Sequence, residues 1–347
     1  MRISAKKAKK NQETKKSFDF EYHRPCRFLP ACQSLWHRAL YKLSQMKKKI
    51  VIIILGPTAV GKTASAIELA QYINTSIISA DSRQCFRELN IGVAKPFPPQ
   101  LLIVPHYFIS SHSIAEEVNA ALFEKLALEW AEKIFKDHDE LIMVGGTGLY
   151  IKAFCEGLDD MPPVSPEIRK EVLLGYETNG MSWLQEQVKE NDPVFFERGE
   201  RLNPQRLMRA LEIKLATGRS ILSFRTRTQK ERNFEIMKIG LQLPKDQMKH
   251  NIYARVEAMM NVGLLDEVKK LFPFRHLNAL RTVGYTELFD HLDGKISLDQ
   301  AIELIKKNTV QYAKRQLTWF RKDHTVHWLH PEELMQDDRW RSLRNRR

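Results

Sequence analysis

The feature that most constrains this chain of 347 residues is the run VIIILGPTAVGKTASA at residues 51–66. It opens with a short, mostly β-branched apolar stretch, which is typical of a central parallel strand covered on both faces. The next eight residues, GPTAVGKT, fit the phosphate-binding pattern G-x-x-x-x-G-K-[ST] in full. Helical spacing of apolar residues follows. We therefore predict a phosphate-binding loop (P-loop) between a strand and a helix.

The residue types in this loop suit an anion. Gly56 and Gly61 let the backbone turn so that successive N–H groups point inward. Lys62 is expected to reach the distal phosphates, and Thr63 is expected to bind Mg²⁺. The residues predicted to contact the phosphates are Gly56, Pro57, Thr58, Ala59, Val60, Gly61, Lys62 and Thr63.

The rest of the chain alternates strands with helices, which predicts an α/β fold with a parallel sheet flanked by helices, like that of P-loop NTPases. After residues 50–55, further strands are predicted at 76–80, 141–144 and 235–243, with an edge strand at 324–329. Helices are predicted at 63–73, 114–136, 246–271, 282–291 and 298–322.

Composition shifts divide the chain into regions. Residues 1–48 hold thirteen Lys and Arg against three Asp and Glu, so most of the net charge of +13 lies there. This region is predicted to be a disordered basic extension, or to follow from a mis-assigned start. Residues 49–163 and 223–330 are predicted to form the α/β core, 164–222 a helical insertion, and 331–347 a basic tail.

Other sequence signals limit where the protein acts. No apolar run approaches the ~20 residues of a membrane span, and no secretory signal is evident. The four cysteines form no C-x-x-C pair, which favours free thiols in a reducing compartment. We therefore expect a cytoplasmic protein with no membrane partner.

Phosphate binding does not select a reaction. P-loop ATPases and GTPases usually end a second strand in an aspartate for Mg²⁺, but here residues 141–144 lead into Gly145-Gly146-Thr147. The nearest acid is Asp81, after the strand at 76–80, and the carboxyl ends of parallel strands share one crevice. Asp81 there can hold Mg²⁺ through water, take a proton from an acceptor, or cap a helix. Its motif context favours catalysis.

Nine segments occur in an order that resembles one family. They are GPTAVGKT, ISADSRQ, NIGVAKP, VPHYFI, VGGTGLYIKA, NPQRLMRALE, GLLDEV, RTVGYTE and KRQLTWFR. Over roughly residues 49–330 the chain resembles the tRNA dimethylallyltransferases, also called tRNA isopentenyltransferases. The resemblance implies transfer of a dimethylallyl group from dimethylallyl diphosphate to N6 of the adenosine 3′ to the anticodon. The tRNAs are those that read codons beginning with U.

The resemblance also implies roles for residues. Asp81 matches the general base, Thr147 the threonine of the reaction channel, and Lys62 and Thr63 the groups that handle the donor with Mg²⁺. We expect a monomer that binds the anticodon stem-loop. The matching tRNA contacts are Asp81, Ser82, Arg83, Gln84, Thr147, Arg169, Gln205, Arg206, Arg209, Arg281, Lys314, Arg315 and Arg321.

Some positions depart from the family pattern or allow a simpler interpretation. Asn251 stands where the family commonly has an arginine facing the diphosphate, and Arg255 or Lys249 is a candidate substitute. Val93 replaces a common threonine. The basic residues near the C-terminus can equally form the solvated face of a helix, and Trp319 is expected in the core.

Two other functions share these signals. A P-loop kinase for a small molecule would consume ATP, and a non-catalytic RNA-binding module would keep the phosphate cradle without transferring anything.

Overall fold

All six strands of the central sheet run parallel, in the order β3-β2-β4-β1-β5-β6. The structure is a computed structural model that describes residues 48–226 and 228–344. The strands are β1 (Ile50–Leu55), β2 (Ile77–Ser79), β3 (His106–Tyr107), β4 (Glu140–Gly145), β5 (Glu235–Leu241) and β6 (His327–Leu329). The predicted parallel α/β sheet is confirmed, including the late edge strand.

Helices cover both faces of the sheet and form the insertion. They are α1 (Lys62–Tyr72), α2 (Pro98–Ile103), α3 (Ala120–Ile134), α4 (Gly148–Glu156), α5 (Pro166–Asn191), α6 (Pro193–Arg198), α7 (Pro204–Thr217), α8 (Lys245–Asn261), α9 (Leu264–Leu271), α10 (Tyr285–Leu292), α11 (Leu298–Phe320) and α12 (Arg339–Arg344). Short 3₁₀ turns occur at Ile221–Phe224, Phe272–Phe274, Asn278–Leu280 and Pro331–Gln336. In this described part of the chain, no helix is long and apolar enough to cross a bilayer.

The first strand explains the two layers. Every residue of β1 is buried, and alternate side chains point to opposite faces of the sheet. Val51, Ile53 and Leu55 join the core formed with α3, α4 and the C-terminal helices. The other three residues of β1 pack with α1 on the opposite face. The continuous apolar run therefore marks a strand that is covered on both sides.

The insertion has a hydrophobic core of its own within residues 164–222, formed by side chains of α5, α6, α7 and the turn that follows. Helix α5 is interrupted at Gly180, whose φ of 76° and ψ of −164° are not helical. The helices α5, α6 and α7 of the insertion are capped at their N-termini by the side chains of Ser165, Asp192 and Asn203, respectively. These caps satisfy N–H groups that lack partners inside a helix.

Two predicted helices have different bounds. The helix expected at 114–136 begins at Ala120, because the Asn119 side chain accepts bonds from the first free N–H groups. The helix expected at 246–271 is two helices, since Gly263 adopts a φ of 99° between them. Trp319, expected in the core, is 40% exposed, so that expectation was wrong; its neighbour Phe320 is buried.

The predicted basic tail is packed against the body of the protein within residues 331–344. Leu334, Trp340 and Leu343 are buried in the same core as α1. The Trp340 indole N–H donates to the carbonyl oxygen of Leu334. Pro331 lies beside Gly61 of the phosphate loop. This segment therefore supports the helix that starts at the loop.

We expect Trp340→Ala to lower the free energy of unfolding by about 3–5 kcal/mol, the usual cost of emptying a buried tryptophan site. Trp340 is only 1% exposed. Chemical denaturation followed by circular dichroism measures the change. Trp319→Ala is the matched control and is expected to cost far less. Equal denaturation midpoints for Trp340→Ala and the parent protein would show that the segment is not docked.

Two cysteines are described, Cys85 and Cys155, and both are free and buried. Burial raises the pKa of each thiol to about 12, so neither is a thiolate at neutral pH. Cys26 and Cys32 lie outside the described residues.

Candidate active site

The phosphate loop lies at the carboxyl end of β1, where the parallel strands open into a crevice. Gly56 has a φ of 144°, and a Cβ atom there would lie 2.5 Å from the carbonyl oxygen of Leu241. A glycine is therefore needed for the loop to pass the end of β5. Gly61 has a φ of 95° and precedes α1, so the loop ends at a helix N-terminus.

Lys62 lies inside this crevice. Its Nζ donates to the carbonyl oxygen of Pro57 at 2.6 Å, which folds the side chain back over the loop. Burial and, to a smaller extent, the positive charge of Arg255 lower the pKa of Lys62 to about 7, and the charge of Asp81 partly opposes both effects. A bound anion would favour the protonated ammonium.

Asp81 follows β2. It lines the same cavity as Lys62, and the volume of this cavity is about 760 Å³. Its Oδ1 accepts from the backbone N–H groups of Arg83 at 2.9 Å and Gln84 at 3.2 Å. These bonds fix the carboxylate and use one of its two oxygens. The backbone N–H of Ser82 donates to Thr147 Oγ1 at 3.0 Å. The structure thus brings the predicted base, the P-loop lysine and the predicted channel threonine together.

Close contacts require glycine both at Gly145, the last residue of β4, and at Gly146, which follows it. A Cβ on Gly145 would overlap the backbone of Ala80, the residue before Asp81. A Cβ on Gly146 would overlap the side-chain amide of Gln316. The two adjacent glycines therefore allow the chain that leads to Asp81 and the helix α11 to lie against the end of β4, beside the phosphate loop.

Gln316 is a site residue that the sequence argument did not single out. Its Oε1 accepts from the backbone N–H of Thr58 at 2.8 Å, and its Nε2 donates to the carbonyl oxygen of Gly146 at 2.9 Å. The sequence feature that marks it is its position on the apolar face of α11, in line with Ala313 and Phe320, which are both buried. A buried amide needs partners, and these partners tie α11 to the loop.

Arg255 lies at the loop, and Asn251 does not replace the missing charge. Arg255 Nη1 donates to Thr58 Oγ1 at 3.3 Å and lines the cavity. Asn251 Nδ2 donates to the carbonyl oxygen of Ala59 at 3.3 Å, which is a neutral contact. Lys249 instead lies over the Tyr253 ring. Of the two candidate substitutes, Arg255 is the one placed for an anion in the crevice.

The residues at the loop fit a phosphate-bound Mg²⁺. This ion usually keeps several waters and takes one or two protein oxygens together with substrate phosphates. The side chains of Thr63 and Asp81 both line the cavity and supply such oxygens. Among the described residues, no group of three or more His, Cys, Asp and Glu could hold a metal without a ligand's help.

A second cleft, of about 920 Å³, lies between the insertion and the helices α3 and α4. Three residues predicted to bind RNA line it: Arg169, Gln205 and Arg209. Arg169 Nη1 lies 3.5 Å from Glu117, while its Nε is buried without a hydrogen-bond partner. Arg209 pairs with Glu212 at 3.1 Å, the helical pairing expected for a structural arginine.

The other predicted RNA contacts lie outside this cleft. Arg206 is 4.0 Å from Glu200, and Arg281 is 3.3 Å from Glu177 of the insertion. Three further basic residues predicted to bind RNA are exposed in the last two turns of α11 or directly after it: Lys314, Arg315 and Arg321. The structure therefore gathers only part of the predicted RNA surface at one place, and four of its arginines each have a glutamate partner.

The fold and the site define a P-loop protein whose phosphate cradle shares its cavity with a carboxylate. The sequence profile described as IPP transferase matches residues 84–323. The tRNA dimethylallyltransferase 1 of Phocaeicola vulgatus is 44% identical over 82% of this chain and 96% of its own length. The tRNA dimethylallyltransferase of Christiangramia forsetii is 46% identical over 82% and 94%. The chain belongs to the IPP transferase family.

Solved structures agree. The full-length tRNA isopentenylpyrophosphate transferase of Bacillus halodurans has a TM-score of 0.62 and 33% identity, covering 86% of this chain and 97% of that one. A eukaryotic dimethylallyltransferase, described as acting on tRNA, has a TM-score of 0.67 and 25% identity, covering 86% and 77%.

Proposed function

We propose that the protein transfers a dimethylallyl group from dimethylallyl diphosphate to N6 of the adenosine 3′ to the anticodon, in tRNAs that read codons beginning with U. One observation carries the proposal: Lys62 of the phosphate loop and Asp81 line a single cavity. Such a cavity supports a reaction in which a diphosphate leaves and an acceptor amine loses its proton at one centre. The monomeric state and the cytoplasmic location are part of the same proposal.

The residues suit the two halves of this displacement. As the allylic carbon leaves its diphosphate, negative charge grows on the leaving oxygens, and the loop N–H groups with Lys62 and Arg255 stabilise it. Apolar cavity residues such as Ile91 and Met259 offer a surface for the hydrocarbon. The attacking amine must lose a proton, which Asp81 is placed to accept.

Thr63 and Asp81 are the residues that would hold Mg²⁺ on the donor. The ion would neutralise charge on the diphosphate as it leaves. Thr63 is the second residue of α1, so its position is set by the helix that follows the loop.

The RNA side of the proposal rests on the basic residues of the insertion and of α11. The target base must be turned out of the anticodon loop to enter the cavity, at a cost of a few kcal/mol. Arg169, Gln205 and Arg209 in the second cleft are placed to hold the loop while this happens.

The affinity for the donor is expected to fall as the pH rises from 7 to 9. With a pKa of about 7, Lys62 is increasingly neutral above that pH, whereas a bound diphosphate favours the ammonium. Binding then takes up a proton, and the affinity drops by up to about tenfold per pH unit. Calorimetry with inorganic diphosphate measures the affinity at each pH, and a comparison of two buffers with different ionisation enthalpies measures the number of protons taken up on binding. In Lys62→Arg the trend should vanish, since arginine stays charged; a flat profile in the parent protein would contradict this.

Labelled donor and unmodified tRNA test the function directly, with ATP turnover and RNA binding measured on the same sample. Product analysis should show isopentenyladenosine next to the anticodon. ATP turnover without prenyl transfer would favour the kinase, and RNA binding without transfer would favour the non-catalytic module. Membership of the IPP transferase family favours prenyl transfer over both alternatives.

A further inference from the structure

Residues 90–95 form one wall of the active-site cavity and are called the wall loop here. The loop is closed by its own backbone: Lys95 N–H donates to the carbonyl oxygen of Asn90 at 3.1 Å, and Ala94 N–H to that of Ile91 at 3.0 Å. Lys95 Nζ ties it further to the carbonyl oxygen of Phe86 at 2.7 Å. A loop bonded in this way moves as a unit.

Glu267 of α9 holds the near end of the wall loop. Its Oε2 accepts from the N–H groups of Asn90 at 3.1 Å and Ile91 at 2.9 Å, and its Oε1 accepts from that of Gly92 at 3.1 Å. Three consecutive amides bound by one carboxylate make a strong attachment, because bonds to an ionised acceptor are stronger than neutral ones.

Tyr285 completes this attachment. Its hydroxyl donates to Glu267 Oε1 at 2.6 Å. Burial, followed by the Glu267 charge, raises the pKa of Tyr285 well above its usual range, so the hydroxyl stays a donor. The ring lies so near that a Cβ on Gly92 would be 2.6 Å from it. The loop, the tyrosine and the glutamate are therefore packed as one assembly.

The far end of the wall loop leads to Asp81. Gln84 Nε2 donates to the carbonyl oxygens of Val93 at 3.2 Å and Ala94 at 3.1 Å. The backbone N–H of the same Gln84 donates to Asp81 Oδ1. A continuous set of hydrogen bonds thus runs from Glu267 through the wall loop and Gln84 to the carboxylate placed to accept the proton.

We propose that Glu267 is a positioning residue for the transfer reaction: by fixing the wall loop it holds Gln84, and through Gln84 the carboxylate of Asp81, at the reacting amine. This rests on the proposed function. Glu267 does not line the cavity itself, so its loss should lower the rate of the chemical step more than it lowers the affinity for either substrate. A misplacement of about 1 Å in a reacting group can cost 10²-fold in rate.

Glu267→Gln keeps the shape of the side chain and replaces one acceptor oxygen with an amino group. We expect kcat for prenyl transfer to fall by at least about tenfold, and by a larger factor than the change in Kd for the donor or for tRNA. Glu287→Gln is the matched control. That buried carboxylate accepts from Gly284 N–H at 2.8 Å and Asn308 Nδ2 at 2.7 Å, and should lower the melting temperature without lowering kcat.

A double-mutant cycle tests the route of the effect. In an Asp81→Asn background, adding Glu267→Gln should reduce the single-turnover rate no further. Gln84→Met cuts the same route inside the cavity and should reproduce the loss of kcat, even if Glu267→Gln fails to fold. Additive effects, or an unchanged kcat in either single variant, would overturn the proposal. A parent protein inert towards unmodified tRNA would instead overturn the proposed function.

Discussion

Replacing Asp81 with asparagine is expected to lower kcat for prenyl transfer by about 10²- to 10⁴-fold, the usual contribution of a positioned general base. The asparagine oxygen can still accept from the N–H groups of Arg83 and Gln84, so the turn that these bonds form is retained. Only the ability to take a proton is lost. Single-turnover transfer with saturating donor and tRNA measures the effect.

Asp192→Asn provides the comparison. Asp192 is a buried aspartate of the insertion whose Oδ1, like that of Asp81, accepts from a backbone N–H, here that of Phe195 at 3.0 Å. Its replacement should leave kcat unaltered. If Asp81→Asn kept full activity, the proton would have to go elsewhere, and the assignment of Asp81 as the base would be wrong.

Lys62→Met is expected to lower kcat/KM by about 10²- to 10³-fold, as found when one stabilising donor is removed from a developing anion. Methionine is similar in length to lysine but has no charge. It also cannot make the bond that Lys62 Nζ donates to the carbonyl oxygen of Pro57 in the loop. Unlike Asp81→Asn, this change should also raise the KM for the donor, because the ammonium contacts the diphosphate before the reaction as well as during it.

Steady-state kinetics with varied donor separates the two variants. Lys295→Met is the control, since Lys295 is an exposed lysine paired with Asp290 at 2.9 Å. It should retain the parent kinetics. A Lys62→Met protein with an unchanged KM and kcat would show that the phosphate loop does not hold the donor's leaving group.

Much of the fold could be predicted because strong local patterns carried it. The apolar run at 50–55 and the glycines around it can form little else than a buried strand and a tight loop. The errors lie where a single side chain or a distant contact decides. Asn119 shortens a helix by capping it, and the segment 331–344, polar in sequence, is held by Trp340 in a core that includes residues of β1 and α1, far away in the chain.

The site was predictable where a motif specifies chemistry and unpredictable where it depends on approach in space. The loop residues and Asp81 were found from their places after strands. Gln316 and Glu267 were not, since each acts by bonding to backbone atoms that are distant in sequence. Nothing in local spacing states which amides a buried carboxylate or amide will meet.

The glutamates paired with the four arginines that we predict to contact RNA occupy the places that phosphates would take. An incoming RNA strand must therefore exchange partners with the protein, and each displaced carboxylate attracts a cation from solution. The net number of ions released on binding is then smaller than the number of arginines engaged. This exchange favours an RNA whose phosphates reach all four arginines at once. A polyanion of another shape makes fewer new contacts, and these do not offset the loss of the arginine–glutamate pairs.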